Sequence, residues 1–334
     1  MKKSQIFPAW AGILRGRKPF LSVEVTRECP LRCPGCYAYS PEHVDGAGTL
    51  RNVLDLTGDD LVDGVLALAR KFRPLHISLV GGEPMVKYRE IDRLLPLLAP
   101  IEVQLVTSAV RPIPAEWATH RNLHLVVSVD GLPKEHDCRR APATYARILQ
   151  NIAGHSVIVH CTVTRQMLQR PGYLADFADF WSKRAETRKI WFSLFTPQTD
   201  QFPEERLTEA ERRRAIGELT SLATPFPKAY VPAVVLDGYV TPPGNPENCI
   251  FAQVTTCISA DLKTEIVPCE LGGRPVCQEC GCIASAGLAA IGRYRLAGLV
   301  PAIEIFRLSR KIGTRLNAHN GAEAAVPGKA NAPG

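Results

Sequence analysis

From residue 19 to about residue 223, short apolar runs alternate with longer amphipathic stretches. The first run, 20–26 (Phe-Leu-Ser-Val-Glu-Val-Thr), is rich in strand-forming residues and leads straight into a group of cysteines. Over 58–72 apolar side chains return at Leu61, Val65, Leu68 and Phe72, a spacing that predicts a helix with Thr57 as its N-cap. The same reading predicts strands at 76–80, 101–107, 123–129, 157–163 and 190–195, and helices at 91–98, 144–153, 173–181 and 209–222. Six strand–helix units in succession predict a parallel sheet with right-handed crossovers. The strands read as nearly continuous apolar runs, which fits burial on both faces. Six units are too few to close an eight-stranded barrel. A partial (β/α)6 TIM-type barrel or an open doubly wound sheet satisfies the α/β pattern, and either places chemistry at the carboxyl ends of the strands.

Beyond residue 223 the pattern changes. Residues 1–17 form an amino-terminal arm and 18–223 the α/β unit; Pro225, Pro227, Pro232, Pro242, Pro243 and Pro246 mark 224–248 as a linker. A small cysteine-rich extension fills 249–290. Over 291–316 a basic amphipathic helix is expected, with Arg293, Arg295, Arg307, Arg310 and Lys311 on one side and Ile305, Leu308 and Ile312 on the other. Residues 317–334 read as a disordered tail.

With 46% hydrophobic and 22% charged residues the chain is globular. No run of eighteen apolar residues occurs, so no spanning helix is expected. No signal peptide is read at the start, which makes the expected location cytoplasmic. The net charge of +7 is modest, and no basic stretch is interleaved with aromatics, so nucleic-acid binding is not expected. The basic segment near the end can pack on the barrel or make peripheral contact with an anionic membrane surface.

The 11 cysteines change the picture most. Cys29, Cys33 and Cys36 lie together at C-x3-C-x2-C spacing, and Cys249, Cys257, Cys269, Cys277, Cys280 and Cys282 form a second group. Clustered thiols in a reducing compartment point to metal or iron–sulfur ligation. Three thiolates leave one iron of a cubane cluster open to a small molecule. A zinc site is the competing reading of the first group, with His43 as the local fourth ligand; a structural zinc ribbon competes for the second. Cys161 reads as a core residue, Cys138 as an incidental loop thiol, and His76, His124 and His160 as histidines satisfied near the core. The run from Glu204 to Arg214 reads as a solvated helix face.

Cys29-x3-Cys33-x2-Cys36 followed by Tyr37, at the end of a first strand, resembles the radical S-adenosylmethionine (SAM) enzymes. Gly81-Gly82-Glu83-Pro84 after the second strand matches the family segment that binds the SAM amino group. Val127-Ser128-Val129-Asp130-Gly131, then His136-Asp137 and Arg140, resembles the segment of the peptide-modifying and cofactor-maturing branch. Thr107-Ser108-Ala109 departs from the Thr-Asn-Gly usual in the family. The resemblance covers roughly 18–200 and implies a partial barrel with a SAM-binding 4Fe-4S cluster on Cys29, Cys33 and Cys36. It further implies contacts to SAM from Tyr37, Gly81, Gly82, Glu83, Ser108 and Arg140: Tyr37 to the adenine, Glu83 to the ammonium, Ser108 to a ribose hydroxyl and Arg140 to the carboxylate.

Residues 258–269 resemble the hairpin of the SPASM or twitch extension, which carries auxiliary 4Fe-4S clusters. The full SPASM pattern has seven cysteines and this chain has six, which favours one auxiliary cluster held by Cys249, Cys257, Cys269 and one of Cys277, Cys280 or Cys282. The expected activity is reductive cleavage of SAM to a 5′-deoxyadenosyl radical that abstracts hydrogen from a peptide or small-molecule substrate. An external donor such as flavodoxin or ferredoxin would supply the electron. Peptide modification or cofactor maturation is the leading purpose, and a lipid or isoprenoid substrate at a membrane surface is the alternative. A non-catalytic zinc- or cluster-binding protein is the alternative of another class.

Overall fold

A computed structural model describes residues 6–39, 43, 55–199, 201, 203–296, 300–301, 303–309 and 311–313. The tail expected at 317–334 lies outside the described residues. The sheet is built from β1 (Phe20–Glu24), β2 (His76–Val80), β3 (Glu102–Thr107), β4 (Leu123–Ser128), β5 (Val157–Val163), β6 (Thr187–Leu194) and β7 (Thr255–Ile258). All neighbours are parallel, in the order β6-β5-β4-β3-β2-β1-β7. This is the α/β architecture of a partial TIM-type barrel, with one strand more than the apolar pattern predicts.

Strand residues alternate between two surroundings. Leu21, Val23, Ile77, Leu79, Leu105, Val127, Val159 and Phe192 belong to the apolar core. That core is closed from outside by α2 (Gly58–Phe72), α3 (Tyr88–Leu97), α5 (Tyr145–Asn151) and α6 (Tyr173–Ser182). Cross-strand partners share a face, so the register aligns Cys257, Ser22, Ser78, Gln104 and His124 in one row on the opposite, inner side. The expectation of apolar burial on both faces therefore holds for the outer face alone; the inner face is a polar lumen. Phe177 and Trp181 of α6 are fully buried and stack in sequence with Phe192 of β6, a contact whose truncation to alanine costs about 3–5 kcal/mol.

Local signals decide the helix starts. Thr57 takes an extended conformation but its side chain caps nothing; the first amide of α2, Gly58 N, instead donates to Glu90 Oε1 from α3 at 3.0 Å. At α7 (Glu209–Ser221) Thr208 and Glu211 form a reciprocal capping box. The proline-rich segment expected as a linker folds α8 (Ala233–Val240), with Val235, Leu236 and Tyr239 buried. Tyr239 donates from its hydroxyl to Phe192 O at 2.5 Å, and Gly238 packs against Ala286 of α10 (Ile283–Arg293).

The cysteine-rich segment runs from one sheet edge to the other. After the short helix α9 (Ile250–Val254), β7 pairs with β1 and turns back in a tight hairpin, with Ser259 N on Thr264 O and Ile266 N on Cys257 O. The chain then reaches the end of β6: Leu194 N donates to Gly281 O, Gly281 N to Thr196 Oγ1, and Val276 N to Pro197 O. The segment thus straps the gap between β7 and β6, the two strands that end the sheet. A two-stranded ribbon, β8 (Arg295–Leu296) and β9 (Val300–Pro301), leads to helical residues 303–309 and 311–313, which rest on α1 (Ile6–Leu14). Among the described residues no helix is long and apolar enough to cross a membrane.

Candidate functional site

The first three cysteines sit on the loop that leaves β1, and the loop after β2 holds that segment by its backbone. Gly82 N donates to Thr26 O at 2.8 Å and Glu83 N to Glu28 O at 2.9 Å. The approach is close enough that a Cβ on Gly81, whose φ is +139°, would stand 2.2 Å from Thr26 O. A Cβ on Gly82 would stand 2.5 Å from Glu28 O. The glycine pair is therefore what lets the two strand-end loops zip together just ahead of Cys29. Farther along, Gly35 adopts φ +63° and lies directly on the Phe195 ring, while Cys36 N donates to Cys33 O at 3.2 Å. Burial pushes the Cys29 thiol up to about 12 and the Cys36 thiol up to about 11, and each feels the field of Cys33.

A chain of hydrogen bonds crosses four successive strand ends beside this loop. Buried Glu83 accepts at Oε1 from Met85 N (3.0 Å) and Thr107 Oγ1 (2.5 Å), and at Oε2 from Ser108 N (2.7 Å). Burial raises the Glu83 carboxyl above its ordinary range despite these donors. Ser108 Oγ accepts from Arg140 Nη1 at 3.1 Å, and Arg140 Nε donates to Asp130 Oδ2 at 2.7 Å. Arg139 Nε reaches the same oxygen at 3.0 Å, and Thr162 N donates to Asp130 Oδ1 at 3.1 Å. Burial alone would raise the Asp130 carboxyl, but Arg140 and then Arg139 hold it well below the usual carboxylate range. Cys33 and Cys36 in turn lie within the field of Arg140. His136, on α4 (Pro133–Arg140), accepts from Asp130 N and bonds Ala143 O, which fixes it as a neutral imidazole.

Glu83, Ser108 and Arg140 are thus brought together, with Gly81 and Gly82 as their backbone hinge. Tyr37 stands apart from them. Its ring lies 5.3 Å from that of His43, in the fields of Glu270, Cys36, Glu24 and Cys257. His43 is the fourth ligand a zinc site on the first cysteines would need, and both its ring nitrogens are engaged: Nε2 with Glu24 Oε1 (2.7 Å) and Nδ1 with Leu271 O (2.9 Å). The donor set left at the loop is three soft thiols beside a guanidinium, a set that suits a cubane cluster with one iron unprovided for.

Five of the late cysteines, Cys249, Cys269, Cys277, Cys280 and Cys282, line one apolar cavity together with Ser285. Cys257 lies on β7 outside that cavity, buried, in the fields of Glu270 and Cys269. Among the described residues no three His, Cys, Asp or Glu side chains stand close enough to close on a single metal ion. Two features here escape a sequence reading. The charged run 204–214, expected to be solvated, grips this segment and α8: Arg212 of α7 donates to the carbonyls of Glu279 and Cys280 and to that of Tyr239, and Arg206, before α7, pairs with Glu279 at 2.5 Å. Glu270, next to Cys269, turns back to the lumen, accepts from Ser22 Oγ at 3.4 Å, and is pushed up to about 7 by burial. Cys161 is buried in the core and Cys138 is exposed, and His124 and His160 bond Glu102 and Ser193.

Residues 23–163 match the radical SAM superfamily profile. The structure is similar to that of Streptococcus suis SuiB bound to S-adenosylmethionine, with TM-score 0.55 and 17% identity over 77% of this chain and 62% of that one. It is similar to SuiB bound to its precursor peptide SuiA, with TM-score 0.54 and 15% identity over 91% of this chain and 68% of that one. Native anSMEcpe with bound AdoMet gives TM-score 0.55 and 13% identity over 75% of this chain and 74% of that one. The chain spans about three fifths of the uncomplexed SuiB chain, 59%. At these identities the likeness is one of fold. No curated protein matches by sequence.

Proposed function

We propose, from the premise that this chain carries a radical SAM domain, that it cleaves SAM reductively and uses the resulting radical to abstract hydrogen from a substrate held in the barrel lumen. When bound on Cys29, Cys33 and Cys36, a 4Fe-4S cluster supplies the electron for that cleavage and an open iron for the amino-acid end of SAM. The observation that carries the reading is the convergence of the three-thiol loop with the Glu83–Ser108–Arg140–Asp130 chain at the carboxyl ends of the strands.

Each residue then has a distinct task. The Gly81–Gly82 backbone lets a ligand approach the strand ends. Glu83, already holding three donors, keeps lone pairs for an ammonium and fixes the β3 end against the β2 end. Arg140, oriented by Asp130, presents its remaining guanidinium hydrogens to a carboxylate. Ser108 holds Arg140 in place and offers its hydroxyl to a ribose. Tyr37, turned toward His43, is the aromatic proposed to meet the adenine and lies in the field of Glu24. The late cysteines would hold one auxiliary cluster. Its ligands would be Cys249, Cys269 and one of Cys277, Cys280 or Cys282, all of which line the cavity, together with Cys257, which lies outside it on β7 in the field of Cys269. Glu270 lies between the two cysteine groups and is the lumen carboxyl placed to grip a substrate. Peptide modification is the favoured purpose, supported by the similarity to folds solved with the precursor peptide SuiA and the Kp18Cys peptide.

Anaerobic reconstitution with iron and sulfide, followed by reduction with dithionite in the presence of SAM, tests the proposal. The expected result is a cubane absorbance band and release of 5′-deoxyadenosine. Alanine at Cys29, Cys33 and Cys36 abolishes that release, whereas alanine at Cys249 and Cys269 spares it. A colourless, zinc-loaded protein that leaves SAM intact overturns the reading.

A further inference from the structure

Helical residues 303–309 and 311–313 leave Leu308 and Ile312 exposed, while Ile303, Ile305 and Phe306 are half-buried. Their docking face is set by Ser309 and Gly313, spaced i,i+4. Ser309 Oγ accepts from Trp10 Nε1 of α1 at 2.9 Å, and a Cβ on Gly313 would stand 2.5 Å from Gly16 N. One position earlier, about 100° around the helix, Leu308 and Ile312 form a second i,i+4 pair that is 61% and 41% exposed. Arg307 and Lys311 form a third pair, also exposed, along the border of that stripe. The ring of Trp10 is 43% exposed with its N–H already satisfied. Arg15 and Arg17 are exposed just beyond α1, a helix without a charged residue. Where the end of α10 abuts Ile303 through Gly292, Ile291 and Tyr294 are exposed as well. Glu304 is the sole acid of 303–313, and Arg307 pairs with it at 2.9 Å.

An amphipathic helix that serves only the core turns its apolar side inward. Here Ile303, Ile305 and Phe306 are half-buried beside Ser309 and Gly313, yet Leu308 and Ile312 stay outside with the indole ring of Trp10, bordered by cations. We infer that this surface seats the protein on an anionic lipid bilayer, with Leu308, Ile312 and Trp10 entering the headgroup region and Arg307, Lys311, Arg15 and Arg17 facing lipid phosphates and carboxylates. Charge argues against a second copy of the chain as occupant. A two-fold symmetric contact would set the same basic side chains of both copies against each other. The inference is independent of the chemistry proposed above.

Co-sedimentation of the full chain with vesicles tests it, using phosphatidylserine mixed with phosphatidylcholine against phosphatidylcholine alone. The expected result is binding to the anionic vesicles that weakens as salt rises. Arg307→Gln with Lys311→Gln should lower partitioning by about fivefold per charge, roughly 25-fold together. Leu308→Ser with Ile312→Ser should also release the protein. Both pairs are exposed, so thermal unfolding and 5′-deoxyadenosine release should stay as in the unaltered chain. Protein that stays in the supernatant at low salt overturns the inference, as does binding that neither pair of substitutions weakens. Concentration-dependent dimerisation lost with Leu308→Ser and Ile312→Ser would assign the stripe to a second copy and overturn it too.

Discussion

Replacing Gly81 by alanine tests whether the zip between the β1 and β2 loops holds the first cysteine loop. The added Cβ meets two obstacles at once. It would stand 2.2 Å from Thr26 O, a backbone atom that moves only if the cysteine segment moves. It would also impose a φ of +139° on a residue with a side chain, a strain of about 1–3 kcal/mol. Relieving the contact adds a repacking cost of about 1–3 kcal/mol, so the sum is about 2–6 kcal/mol. Against a usual domain stability of about 5–15 kcal/mol, that is a large fraction. Urea unfolding followed by circular dichroism measures it, and with a slope of about 3 kcal/mol/M the midpoint falls by about 0.7–2 M. Gly217→Ala is the matched control: it lies inside α7 with nothing within 4 Å of the new methyl, and should gain about 1 kcal/mol. If Gly81→Ala unfolds within about 0.5 kcal/mol of the unaltered chain and retains iron equally well, the glycine is not what fixes the loop.

Three further outcomes are expected. Asp130→Asn leaves Arg140 without its carboxylate and should cost about 3 kcal/mol at pH 7; because the folded carboxyl titrates below its unfolded value of about 3.9, the difference from the unaltered chain should persist above that pH and shrink as pH falls through it, as paired urea titrations at pH 7 and pH 3 would show. For His43 burial lowers the imidazole, but the hydrogen bond and charge of Glu24 and the Leu271 carbonyl together outweigh it and the net shift is upward; its contribution is therefore complete below about pH 6.5 and lost as pH rises through the folded value, so the stability gap to His43→Gln should narrow on going from pH 6 to pH 9. Arg212→Ala strands two carbonyls of the cysteine strap and one of α8 and should cost about 1–3 kcal/mol, and iron analysis of the reconstituted protein should show the loss in the auxiliary portion while SAM cleavage continues.

The six leading strands are legible because each is a short apolar run bounded by turn residues, and that periodicity survives in the outer core of Leu21, Leu79, Leu105, Val127, Val159 and Phe192. β7 is not legible: Thr-Thr-Cys-Ile is four residues long, half polar, and gains its order from pairing with β1 more than 230 positions away. α8 is hidden for a different reason. Pro232 stands at its N-cap and Pro242 follows its end, so prolines that bound a helix read as a linker. Among the site residues, the cysteine spacing and the Gly-Gly-Glu motif mark the right loops. What they cannot show is which groups Glu83 already holds, or that Arg212 spends its charge on backbone carbonyls rather than on water. Those are properties of neighbours brought in from other elements, Thr107 and Ser108 for the one and Glu279 and Cys280 for the other.

The strap from β7 to β6 has a consequence for how such an enzyme can change. Strand ladders set the spacing of seven staves, but between the two end strands, β7 and β6, the chain is tied by the segment that follows Ile258 and bonds Leu194 through Gly281. Under the proposed function, the opening into the lumen would be gauged by the length of that clasp. Residues inserted or removed there would widen or tighten the gap while leaving the core behind the staves untouched, since Leu21, Leu79, Val127 and Val159 pack on the other side of the sheet.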